Sequence, residues 1–305
     1  MLVYTLKRLL LACLVVLTVS GITFILTNAA IDPAKALAGE SATAGDIEAI
    51  RKAYGFDRPL IVQYADWLGS ALTGELGESA RMRRPVATLL AERLPVTMTL
   101  GLWALLFALT LSIPLGVVAA LKPNSAVDRL ALSLSVLGQA LPTFWFALMM
   151  IILFGVLLRW LPISGSDTWM HFIMPAVALG YYATPAFMRL TRAGMIEVLA
   201  SDYIRTARAK GLRPPTILFK HALRNAVIPV VSLAAVQFGF MLGGSVVIET
   251  IFALHGVGYL AWESISRSDI PVVQAIVLLI SLFYIFLTFM ADLLNAYLDP
   301  RIRVA

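Results

Sequence analysis

The side chains best suited to ligate a metal or attack a substrate are few: His171, His221, His255 and Cys13, dispersed along 305 residues. One thiol cannot build a disulfide framework or a cysteine-rich metal site within a chain, and Cys13 sits in an apolar run where packing is its expected role. Three histidines this dispersed do not argue for a nickel site. Nucleotide chemistry has no footing either, because a phosphate-cradling loop ends in Gly-Lys-Ser/Thr and no glycine here is followed by lysine. What does carry chemistry is a cationic run: Tyr203, Arg205, Thr206, Ala207, Arg208, Ala209, Lys210 and Gly211. Arg205 and Arg208 are spaced to share a helix face and offer charge-assisted hydrogen bonds to carboxylates or phosphates. On charge alone, such a run reads as a basic, solvated helix that holds anionic lipid headgroups. A second pattern, Gly239, Gly243, Gly244 and Ser245, gives a small-residue face on which two helices can approach closely, inside one chain or between two.

These residues need a scaffold, and composition says which solvent it lives in. With 60% hydrophobic and 14% charged residues, the chain is too apolar for a soluble domain of its length. Its net charge of +6 is therefore read along a bilayer rather than as a nucleic-acid footprint. A spanning helix needs about 20 apolar residues. Six stretches free of Asp, Glu, Lys and Arg reach that length: 9–31, 94–121, 130–158, 168–188, 225–248 and 270–291. The fourth is the weakest, since it contains Pro175, Gly180 and Pro185. The first is too long for a signal-peptide core and is expected to remain as a span. No ionisable side chain lies in a span core, and Glu249 and Asp292 at span ends are expected to be interfacial and solvated. An ion-coupled carrier, the runner-up among transporters, would place such a group on its path.

Lys and Arg in the short segments gather on one side. They run from Lys7 and Arg8 through Lys122, Arg129 and the stretch 189–224 to Arg301 and Arg303, and only Arg159 and Arg267 fall in the opposite short loops. Positive charge is retained in the cytoplasm, so both termini and the basic loop are expected there. The architecture that follows is an all-α polytopic membrane protein in three parts. Residues 1–31 make the N-terminal end and first span, 32–93 a small helical subdomain on the far side, and 94–305 the core with five more spans and the basic loop 189–224.

In the segment 32–93, residues 46–54 read as a helix stopped by Gly55, and Pro59 opens another that runs to about Leu72. Leu60, Tyr64, Trp67, Leu68 and Ala71 fall on one face of the second, which can pack on the mouth of the bundle and also meet an external partner. In the basic loop, Ser201 or Asp202 caps a helix that Gly211 ends. Pro214 and Pro215 then force a break before a second helix over 216–225. Connections in helix bundles usually run about 2–8 residues, so a loop this long points to function.

The order Tyr203-Ile204-Arg205-Thr206-Ala207-Arg208-Ala209-Lys210-Gly211, followed by His221-Ala222-Leu223-Arg224-Asn225-Ala226 and Ile228-Pro229, resembles the coupling loop of the dipeptide, oligopeptide and nickel permease family of bacterial ATP-binding-cassette importers. The wider superfamily opens this signature with Glu-Ala-Ala; here Arg205, Thr206 and Ala207 stand there, Gly211 is the glycine, and Arg224 replaces a later proline. Other carriers are Asp57-Arg58-Pro59-Leu60, Arg93-Leu94-Pro95, Leu161-Pro162, Gly256-Val257-Gly258, Asp269-Ile270-Pro271 and Leu298-Asp299-Pro300-Arg301. Each is weak alone; their order along nearly the whole chain is specific. His255 occupies a place where the family commonly has proline.

The resemblance implies a type I importer permease in the bacterial inner membrane, the first of two homologous permease subunits sharing a pore. It implies two ATPase partners that bind ATP and Mg and grip the loop, a periplasmic binding protein that delivers solute, and no cofactor in this chain. Short peptides lead as substrate, with nickel or metal chelates, glutathione and opines also open. Nucleic acid is not an expected partner, whereas membrane lipid is. A non-transporting scaffold or lipid-binding protein is the contrasting class, and it predicts a loop that tolerates substitution.

Overall fold

The computed structural model describes residues 2–39 and 42–298. Among them the chain is helical, with one isolated bridge between Glu78 and Pro85 and no strand. The termini beyond, including Arg301, Arg303 and most of the motif starting at Leu298, lie outside the described residues.

Helix α1 (Leu2–Ala30) is free of charged residues beyond Lys7 and Arg8, and most of its circumference is exposed. Cys13 lies on that exposed surface, so the expectation of a packing role is corrected: a helix at the rim of the bundle turns most of its side chains to lipid. Three short helices follow, α2 (Pro33–Ala38), α3 (Ala44–Ala53) and α4 (Leu60–Leu72). α3 begins before the expected Asp46 because Thr43 caps it reciprocally. The Asp46 amide donates to Thr43 Oγ1 at 3.3 Å, and the Thr43 amide donates to Asp46 Oδ2 at 3.0 Å. Gly55, at φ +68°, provides the expected stop.

Helix α5 (Val86–Leu121) is longer than the apolar stretch that announced it. Glu92 and Arg93 belong to its first turns, and Arg84 holds Glu92 in a fork at 2.5 and 3.1 Å. Hydropathy sees only the part in hydrocarbon, whereas the helix continues beyond it. The third expected span is broken in two. α6 (Ala126–Ala140) and α7 (Thr143–Met150, continued as a π-helical segment Ile151–Leu157) meet at 99°. Pro142 has no N–H to give and pushes Leu141 to an extended ψ of 133°.

The fourth expected span is likewise divided, into a 3-10 turn (Trp169–Phe172), α8 (Ile173–Tyr181) and α9 (Thr184–Leu199). α9 carries helix through the first part of the basic loop. After it come α10 (Asp202–Ala209), a π-helical segment (Thr216–Leu223), α11 (Arg224–Ala226), α12 (Ile228–Ile251), α13 (Val257–Ser266) and α14 (Ile270–Leu298). Among the described residues four helices are long and apolar enough to cross a membrane, or five if α6 and α7 count as one bent span, where the sequence reads six.

α5 is the central post, packed against α6, α8, α9 and α12, while α14 binds α1, α12 and α13. Leu100, Ala104 and Ala108 of α5 meet Ala178, Phe187 and Ala234 in the main core. Small residues set the spacing: a Cβ on Gly180 would collide with the Ala104 carbonyl, so α8 and α5 touch backbone to backbone. Arg8 pairs with Asp292 at 3.0 Å at one end of the bundle, here called the basic end. Gln274 donates to Thr27 Oγ1 at 2.7 Å near the opposite end.

Candidate functional site

The cationic run folds into α10 for local reasons. Ser201 sits at the N-cap with extended ψ of 154°, and Asp202 supplies a carboxylate to the first turn. Ile204 and Ala207, one turn apart, are buried against Val117 and Ala120 of α5, Met195 of α9 and Ala222 beyond the turn. This narrow apolar stripe seats the helix on the basic end of the bundle. The other faces are left to solvent. Arg205 is 79% exposed and paired only with Asp202 at 3.1 Å, a surface contact that contributes little by itself. Thr206, Arg208, Ala209 and Lys210 are also exposed.

Tyr203 braces the helix from the side: Asn225 Nδ2 donates to its hydroxyl at 2.8 Å. Gly211 stands at φ +75° with nothing within 4 Å of the site a Cβ would take, so the left-handed turn alone requires glycine there. The sequence-predicted residues thus form one exposed, cationic, rigidly seated helix. His221 lies beside it and lines an open pocket of about 510 Å³ with Lys220, Arg224, Asn225 and Ile228. His171 is elsewhere, tied to Thr168 at 2.9 Å, and His255 stacks edge-on against Tyr259 at 5.0 Å.

The small-residue pattern on α12 splits. Gly239 is buried against α14, where a Cβ would stand 2.8 Å from the Tyr284 ring. Ser245 is buried and donates to the Leu242 carbonyl at 2.9 Å. Gly243 and Gly244 are exposed, and with Phe240 and Val247 they form an open strip.

Three carboxylates, Asp128, Asp269 and Glu249, hold the helices together. Asp128 at the start of α6 receives a fork from Arg192 of α9, at 2.7 and 2.6 Å, and a third hydrogen bond from the Asn124 amide at 2.8 Å. Asp269 ties the segment before α5 to the start of α14 by accepting from Ser79 Oγ and the Ala80 amide. Glu249 is fully buried, which corrects the expectation of a solvated, interfacial group. Its Oε1 accepts from Thr97 Oγ1 at 2.8 Å and its Oε2 from the Tyr259 amide at 2.9 Å. The carboxylate thereby satisfies an orphan donor in the first turn of α13, where the chain supplies no cap of its own. The available signal was a lone acid at the end of a long acid-free run, which is costly unless paired.

A family model for the binding-protein-dependent transport system inner membrane component matches residues 112–304, and one for the N-terminal part of such components matches 1–101. The glutathione transport system permease protein GsiC of Escherichia coli K12 is 40% identical over 304 residues, covering 99% of each chain. Its namesake in Pectobacterium atrosepticum matches to the same extent. Among solved structures, two crystal forms of the inward-facing MetNI methionine ABC transporter superpose with TM-scores of 0.56 and 0.57. They are 17% and 20% identical and cover 69% of this chain and 96% of theirs; that likeness speaks for fold alone.

Proposed function

Because the chain belongs to the binding-protein-dependent transport inner membrane components and is the permease subunit of an ATP-binding-cassette importer in the inner membrane, we propose that it forms half of a pore whose stroke enters through α10. The observation that carries this reading is the construction of α10: a helix fixed to the bundle by Ile204 and Ala207, with Arg205 and Arg208 turned outward. Two ATPase subunits holding ATP and Mg grip that outward face through charge-assisted contacts. A homologous second permease covers the strip of Phe240, Gly243, Gly244 and Val247 on α12. A soluble binding protein delivers the solute at the opposite end. Lys and Arg density places the basic end and both termini in the cytoplasm, and α8 with α9 completes a sixth crossing. The full-length relatives named for glutathione, itself a tripeptide, favour a short peptide or glutathione-like solute over a metal chelate.

Co-purification in detergent with the neighbouring ATPase and permease subunits tests the reading. Wild type is expected to assemble and hydrolyse ATP. Gly211→Pro and the double variant Arg205→Glu, Arg208→Glu are expected to lose the ATPases while the chain remains monodisperse. Normal assembly and turnover in both variants would remove α10 as the coupling element.

A further inference from the structure

α4 has three faces of different character. Tyr64, Trp67 and Ala71 face α1, where Tyr64 and Trp67 pack around Phe24 with ring centroids 5.6 and 5.9 Å from it. Gln63, Asp66 and Ser70 line a cavity of about 730 Å³ between α1, the segment before α5 and the start of α14. The third face carries Ile61, Ala65 and Leu72 at helical spacing, all exposed among the described residues, with Leu68 half-buried beside them: Ile61 is 74% exposed and Leu72 83%. Apolar side chains of that size are costly to leave in water.

Depth along α1 says what covers them. The Tyr64 hydroxyl lies 2.8 Å from Ser20 Oγ and 3.2 Å from the Leu17 carbonyl, and a Cβ on Gly21 would stand 3.7 Å from the ring. Ser20 precedes the end of α1 at Ala30 by ten residues, about 15 Å along a helix axis. That is well inside the apolar length of the span, so the axis of α4 lies below the level where α1 leaves hydrocarbon. On α1 at this end of the bundle, Ile22, Ile25 and Leu26 are exposed as well.

We propose that α4 is an interfacial helix seated in the leaflet at the end of the bundle opposite Lys7 and Arg8, with Ile61 and Leu72 in the acyl chains and its polar face roofing the cavity. An amphipathic helix of this kind sinks its apolar face about 5–10 Å into the headgroup boundary.

Replacing the single native thiol by Cys13→Ser gives a background for Ile61→Cys, Leu72→Cys and, as a solvated control, Lys52→Cys. The full chain is placed in vesicles of phosphatidylethanolamine and phosphatidylglycerol, and each thiol is probed with a water-soluble maleimide. Thiols at 61 and 72 are expected to react at least about tenfold more slowly than the control, because a thiol in acyl chains stays protonated and out of reach. A fluorophore attached there is expected to be quenched by lipids spin-labelled high on the acyl chain. Fast labelling at 61 and 72 with no lipid quenching overturns the proposal. Protection that arises only on adding a soluble binding protein also overturns it, and assigns the face to that protein instead.

Discussion

Arg192 and Asp128 make the sharpest residue-scale prediction. Arg192→Ala leaves a buried carboxylate without its fork, a loss of about 3–5 kcal/mol, whereas Asp128→Asn with Arg192→Gln is expected to recover much of it; thermal melting in detergent reads both. Gly256 is held by contact rather than by backbone conformation. A Cβ there would lie 2.5 Å from Glu249 Oε2, so Gly256→Ala is expected to cost about 1–3 kcal/mol and lower the melting temperature. Asp32 gives a pH prediction. Partial burial raises its pKa, but the hydrogen bonds from Arg51 and from the Ala34 amide outweigh that and hold the carboxyl below its ordinary range. A depressed carboxylate stabilises the fold above its unfolded pKa, about 3.9, and loses that contribution as pH falls through the folded value. Hydrogen exchange across α2 and α3 is therefore expected to accelerate as pH drops below about 4, and Arg51→Gln to flatten that dependence. Neither ion pair was legible in sequence, because each joins residues of separate elements, 64 and 19 positions apart.

At the scale of elements, legibility followed how local the cause is. α10 was readable because its cap position, its cations and its glycine stop lie within eleven residues, 201–211. α4 was readable from Pro59 and an apolar period, and four of the five residues expected on one face are at least half-buried or packed toward α1; Leu60 is the exposed one. The spans were counted well where helices are straight and poorly where Pro142 and Pro185 break them, since hydropathy is blind to direction. Gly211→Ala isolates the element-level role: with open space around the Cβ position, the cost is backbone alone, about 1–2 kcal/mol for a left-handed residue. The melting temperature of the chain is expected to fall modestly, and under the proposed coupling role the ATPase activity of the co-purified subunits falls with the altered turn.

For the whole molecule, α5 collects the core and α1 stands at the rim. The rim position rests on a pairing of the two ends of the sequence: Arg8 with Asp292 and Gln274 with Thr27. Those partners are separated by nearly the entire chain, since α1 ends at Ala30 and α14 starts at Ile270. Ribosomes add about 5–20 residues each second, so α1 enters the bilayer on the order of 10–50 s before its main neighbour is made. Its uninterrupted apolar length, with mean hydropathy 2.7, suits that interval, because a helix that must wait alone in lipid has to satisfy its backbone and surface without help. α1 is thus built to stand alone until α14 is made, and the exposed surface that carries Cys13 is what permits the wait.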